Sequence, residues 1–315
     1  DSASDNGKAK PWLRHLRGDL VGGLAAAVMT IPVSMGYGLL ALSPFGDAMV
    51  PTAILAGLYA PIFGCLVALL LGANTTMIYS PRSIVTFLIG SLVLDTIVRS
   101  NLAFLHNAAP PTQLAVALLL IFLAGFFQAM FGVFRFGGFV RYIPAPVIAG
   151  FQNAAAILIF FSQINSMLGL RPQTALADLP SHVADIKWQT LIIGVATCWL
   201  ILRGARLTRR VPPSILGFLG GIALYYLFVA AGQGAQLSAV IGAIPFALPN
   251  PQYFAEFARL VTLPAFAEVM PTLIGGALSL ALVASLDGML CARLIESDSG
   301  NRIQANQELT RLGVG

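Results

Sequence analysis

The chain has 315 residues, of which 57% are hydrophobic and only 10% charged, and its mean hydropathy is +0.82. A soluble domain carries about 25% charged residues, so this composition excludes an ordinary water-soluble enzyme or binding module. The net charge of +5 does not indicate nucleic acid, because the basic residues gather in short stretches between apolar runs; Cys65, Cys198 and Cys291 have neither metal-ligand nor disulfide-framework spacing.

A polar, basic stretch over 1–17 opens the chain and reads as a cytoplasmic tail. The apolar run behind it is too long for the hydrophobic region of a cleavable signal. About 18–20 apolar residues cross a bilayer, and eight such segments are predicted, over 21–42, 53–71, 82–98, 113–134, 146–164, 188–202, 213–231 and 273–290. Within the first, Ile31-Pro32-Val33-Ser34-Met35-Gly36-Tyr37-Gly38 permits either local unwinding with a polar contact at mid-depth or a kinked helix with packing glycines. Tyr37 is a candidate anion ligand on the first alternative.

The third segment is interrupted. Thr75 to Tyr79 reads as β-like, a Ser80-Pro81 step follows, and an apolar helix begins with Arg82 in its first turn. Proline is tolerated there because its missing N–H would have no partner anyway. Such a half-extended, half-helical span leaves backbone N–H groups unpaired at membrane depth and turns a positive dipole end inward. Broken spans of this kind mark binding sites in secondary transporters, and the positive end together with Arg82 favours an anion. Ser80, Arg82, Ser83 and Thr86 are therefore the candidate substrate ligands, with a structural ion pair as the alternative role for Arg82.

Beyond it, Gln152 and Asn153 stand one turn into the fifth segment, either lining a pathway or hydrogen-bonding between helices. The proline-rich 241–251 cannot be a helix interior, and 253–263 reads as an amphipathic interfacial helix. In the eighth segment Ala277, Ala281, Ala284, Gly288 and Cys291 form a stripe of small residues with Asp287 at its edge. Asp287 is the only acidic residue placed well inside a span; it is a candidate to bind Na⁺ or carry a proton, with helix packing as the alternative. With the N-terminus cytoplasmic, thirteen Lys and Arg fall on that side against four opposite, leaving Arg82 at depth. The three histidines lie in the tail or in loops, and no cofactor fingerprint or catalytic set is present, so neither a cofactor nor enzymatic activity is expected.

Several of these motifs resemble the SulP anion permeases. Leu16-Arg17-Gly18-Asp19-Leu20 and Pro32-Val33-Ser34-Met35-Gly36-Tyr37 resemble that family's first segment. Ser80-Pro81-Arg82-Ser83-Ile84-Val85-Thr86 is similar to its Gly-Pro-x-Ala-Val-Val-Ser. Pro146-Val147-Ile148-Ala149-Gly150-Phe151 resembles the fifth segment, while Ile244-Pro245 and Asn306-Gln307-Glu308-Leu309 resemble the flanks of the eighth. The matches keep family order along nearly the whole chain.

The resemblance implies an all-α polytopic membrane protein with two inverted seven-span repeats, divided into core and gate. The anion site lies between the N-termini of the third and tenth helices. On that scheme 18–135 is core, 136–232 gate, and 233–315 an extracytoplasmic loop plus the first span of the second repeat. The tenth helix and a STAS domain fall outside the sequence, which is expected to be a piece of a longer protein. Two departures stand out. Arg82 replaces a residue that is usually small or apolar, and Ala284-Ser285-Leu286 stands where many members carry Glu-Ser-Leu. Asp287 instead resembles the sodium-binding Asp of cyanobacterial sodium-dependent bicarbonate transporters, whose hydroxyl ligand one turn on is replaced here by Cys291. The implied function is secondary transport of a small inorganic or carboxylate anion, bicarbonate or sulfate first, with coupled Na⁺ or H⁺. An uncoupled channel or exchanger, or a non-transporting receptor or scaffold, is the alternative. The implied setting is the inner (plasma) membrane, as a homodimer at full length.

Overall fold

The structure, a computed structural model, describes residues 11–72, 78–98, 105, 108–138, 145–170, 183, 185–208, 211–238, 252–262, 266–299 and 303–315. Helix α1 (Pro11–Leu42) leads through two short 3₁₀ turns into α2 (Val50–Leu70). After the interruption come α3 (Ser83–Val93), continued by a π-helical turn over Leu94–Val98, then α4 (Pro110–Val133) and α5 (Ala145–Leu168). The series ends with α6 (Trp188–Leu207), α7 (Pro213–Ala230), α8 (Gln252–Val261), α9 (Phe266–Ser299) and α10 (Ala305–Val314).

Among the described residues there is no strand, and six helices are long and apolar enough to cross a membrane: α1, α2, α4, α6, α7 and α9. The third expected span is the shorter apolar helix Ser83–Val98, and α5 covers the fifth. Proline stands in the first turn of α2, α4 and α7, where the first-turn N–H has no helical partner. Gly72 follows α2 in the left-handed region at φ 71°, its N–H returning to the Leu69 carbonyl. Of the β-like run 75–79, residues 78 and 79 are described and non-helical, as are 80–82 after it; 75–77 and the proline-rich 241–251 lie outside the described residues.

Two compact units divide the chain. One comprises Asp1–Val33 and Leu191–Gln236. In it α6 and α7 pack through glycines: a Cβ on Gly217 would stand 2.3 Å from Ile201 Cγ1, and one on Gly221 would stand 2.6 Å from Thr197 Oγ1. Trp199, Leu202, Tyr226 and Leu227 are exposed on this pair.

The other unit comprises Ser34–Thr190 and Leu237–Gly315. Its main core sits on α4, whose Ala115, Val116, Ala117 and Leu120 are buried together with Val93, Leu260, Leu273 and Ala277. The small face of α9 meets this core at Ala277 and continues buried through Ala281 and Gly288. Helix α10 crosses α4 at bare backbone: a Cβ on Gly313 would lie 2.3 Å from the Ala129 nitrogen, and one on Gly125 would lie 2.7 Å from the Gly313 oxygen.

Helix α1 runs without interruption through Pro32. Of the two alternatives for this stretch, the packing glycine is the one realised, since Gly38 fits against Gly57 of α2. A Cβ on Gly38 would sit 2.0 Å from the Ala53 carbonyl oxygen, whereas one on Gly36 would meet nothing within 4 Å. Gly38→Val is therefore expected to cost about 1–3 kcal/mol or more through overpacking. It should lower the thermal midpoint in detergent, and Gly36→Val should leave that midpoint nearly unchanged. Equal losses in both variants would contradict this packing.

Candidate anion site

The interruption before α3 follows from its residues. Pro81 disfavours a helical conformation for Ser80 and offers no N–H of its own. The Ser80 N–H donates to the Ile78 carbonyl at 3.2 Å, and Arg82 stays extended at φ −111°, ψ 140° as the N-cap residue. Its side chain does not cap the helix. The first helical bond is donated by the Thr86 N–H to the Arg82 carbonyl at 2.9 Å. The amides of Ser83, Ile84 and Val85 precede it and have no acceptor within the helix. A cluster of donors and a positive dipole end thus face the break.

Arg82 does not stand alone there. Its Nη1 donates to the Asp287 carbonyl oxygen at 3.0 Å and lies 3.4 Å from Asp287 Oδ2. The two side chains are mostly buried, 18% and 21% exposed. Cys291 stands one turn beyond Asp287 on α9 and is partly buried. An ion pair removed from water survives because each charge is the other's counter-ion, and removing one leaves the other costly.

The remaining candidates divide. Thr86 is buried, and its hydroxyl donates to the Arg82 carbonyl at 2.7 Å. It holds the first turn rather than presenting a free hydroxyl. Ser80 and Ser83 are half-buried. Ser80 lines a cleft of about 190 Å³ with Ala60, Gly64, Tyr79, Pro81, Arg311, Leu312 and Gly315. Tyr37 is half-buried on α1 and takes no part in the Arg82–Asp287 contact. Gln152 and Asn153 are exposed on α5.

One element was not foreseen. Helix α10, outside the predicted spans, carries a buried acid, Glu308, which is only 1% exposed. Glu308 accepts the Tyr79 hydroxyl at 2.5 Å and pairs with Arg311 Nη1 at 2.5 Å. Arg311, on α10, also donates to the Leu71 and Gly72 carbonyls just past the end of α2. The signal available in the sequence was the spacing of Glu308 and Arg311, three apart, which suits an ion pair on one helix face. At ten residues, α10 is too short and too polar for a hydropathy reading to register it.

Comparison with known proteins agrees with this architecture. The chain is 26% identical over 314 residues to the bicarbonate transporter BicA of Picosynechococcus sp., an alignment covering 97% of this chain and 50% of that protein. It is also 26% identical over 306 residues to a probable sulfate transporter of Mycobacterium tuberculosis, covering 96% and 49%. The chain thus spans about half the length of the curated relatives it matches. Its fold matches the solved transmembrane domain of a cyanobacterial BicA with a TM-score of 0.72 at 23% identity, over 96% of this chain and 71% of that one. The fold is accordingly the all-α inverted-repeat transporter fold with a broken third helix. Residues 16–315 match the model of the Sulfate permease family, and the chain belongs to that family.

Proposed function

We propose that this chain carries one side of the anion site of a secondary transporter, with sulfate or bicarbonate as the favoured substrate. The reading is carried by one juxtaposition: the N-terminus of α3 with no side-chain cap, the guanidinium of its N-cap residue Arg82, and a carboxylate already seated on that guanidinium. Unpaired amides and Arg82 supply hydrogen bonds and charge for an anion with several oxygens. Ser83 and Ser80 add hydroxyls beside them. Tyr37 is a further candidate ligand, supported by its position on α1 alone.

Asp287 acts in this reading as the resident counter-ion. An incoming anion competes for Arg82, and a carboxylate that loses its partner in a low-dielectric site is neutralised by a proton or a cation. That links anion binding to H⁺ or Na⁺. The group already against Asp287 is a guanidinium, which repels a cation, and one turn along α9 stands a thiol, a poor ligand for a hard ion. They favour the proton. The setting proposed is the plasma membrane with the N-terminus inside, a core of 18–135, a gate of 136–232 and a homodimeric full-length protein. No catalytic role is assigned.

The test is uptake of radiolabelled sulfate and bicarbonate by the full-length protein in proteoliposomes, with and without Na⁺ and pH gradients. Uptake driven by an inward proton gradient is expected. Gradient-independent exchange would replace coupling by the uncoupled alternative, and absence of both binding and uptake would favour the receptor or scaffold.

A further inference from the structure

We infer that Glu308 and Arg311 of α10, acting through Tyr79, are positioning residues that set the affinity of the anion site. The inference rests on the placement of that site at the first turn of α3, proposed above. Helix α2 ends at Leu70, where the Leu71 and Gly72 N–H groups close its last turn on the Val67 and Leu69 carbonyls, which leaves the Leu71 and Gly72 carbonyls as acceptors just beyond it. Arg311 supplies the donors, through Nε to Leu71 and Nη2 to Gly72, and its charge suits the negative end of α2. Its Nη1 goes to Glu308, whose other oxygen takes the Tyr79 hydroxyl. Tyr79 is buried, and its own carbonyl accepts from the Cys65 thiol at 3.4 Å. One short helix therefore grips the chain at both described ends of the α2–α3 connection, at 71–72 and at 79.

The grip has a firm footing. On α4, Gly125 and Gly132 let the α10 backbone approach so closely that a Cβ at Gly132 would meet the Thr310 nitrogen at 2.6 Å. The described part of the connection, 78–82, is non-helical, so contacts from neighbouring side chains stand in for helical hydrogen bonds. The grip acts on function because of what separates Tyr79 from Arg82. Only Ser80 and Pro81 intervene, and proline fixes its own φ, so a shift at Tyr79 passes to Arg82 with little slack. A binding site needs its donors held to within about 0.5 Å of the productive geometry. None of the three side chains has to touch the anion to influence its affinity.

The experiment uses the full-length protein in proteoliposomes with radiolabelled sulfate, and bicarbonate as second probe. It compares Tyr79→Phe, Glu308→Gln and Arg82→Ala. Tyr79→Phe removes one hydroxyl and keeps the ring, so it remains informative if Glu308→Gln fails to fold. Loss of one buried hydrogen bond corresponds to about a five-fold effect, expected here as a rise in KM with maximal rate retained. Deuterium exchange should quicken over 79–90 in the same variants. A merely structural role would lower the melting temperature and the folded yield, with KM unchanged in the folded fraction. The inference is overturned if Tyr79→Phe keeps wild-type KM and exchange over 79–90 while Arg82→Ala loses binding. If Arg82→Ala binds normally, the site itself is misplaced and the inference falls with it.

Discussion

Arg82→Ala is expected to weaken anion affinity by tens-fold or more while folded protein still reaches the membrane. The guanidinium is the one full positive charge at the first turn of α3, and charge-assisted bonds to an oxyanion are roughly twice as strong as neutral ones. The substitution has a second consequence, because it also strands the Asp287 carboxylate that Arg82 holds at 3.4 Å. An unpaired carboxylate in a low-dielectric site destabilises the fold unless it takes up a proton. The double variant Arg82→Ala with Asp287→Asn separates the two effects, since it contains no stranded charge. Arg82→Lys adds a third case: it keeps the charge but loses the planar fork, so it should recover part of the affinity. Equilibrium binding of sulfate and bicarbonate, read beside the thermal midpoint of each variant, decides the matter. Unchanged affinity in the folded double variant would reassign Arg82 to a structural ion pair.

The parts of this molecule that sequence made legible are those decided locally. Apolar runs of sufficient length marked the spans, and the Ser80-Pro81 step marked the break, because a proline's restraint acts on its own neighbours. Arg82 and Asp287 were each conspicuous as charges in apolar surroundings. Their partnership was not, since 205 residues separate them and pairing is a property of the packed helices. Gly38 was conspicuous in the same way, while its partner Gly57, on the next helix, was not. Helix α10 escaped notice for a different reason. Its burial comes from α4 and from contacts such as that of Tyr79 rather than from its own hydropathy, so nothing in its own sequence marked Glu308 as buried.

Asp287→Asn is expected to abolish the dependence of uptake on an imposed gradient while anion binding and exchange persist. The amide keeps the shape of the side chain and can still accept from Arg82, but it carries neither a negative charge nor a titratable proton. In the wild-type protein the carboxylate and the transported anion compete for one guanidinium. Two unit charges about 4 Å apart interact by on the order of 4 kcal/mol at an effective dielectric of 20, which bounds the advantage the substrate gains when that competitor is neutralised. Anion affinity should therefore rise in the variant, the opposite sign from Arg82→Ala. A rise with coupling lost is what distinguishes a resident counter-ion from a packing residue. If Asp287 only packs α9 against its neighbours, the amide should lower stability and leave both the affinity and the gradient dependence of the folded fraction where they were. The measurement is paired: sulfate affinity by equilibrium binding, and uptake with and without an inward proton gradient or Na⁺ gradient, in the same proteoliposomes. Retained gradient dependence at unchanged affinity would remove Asp287 from the coupling mechanism.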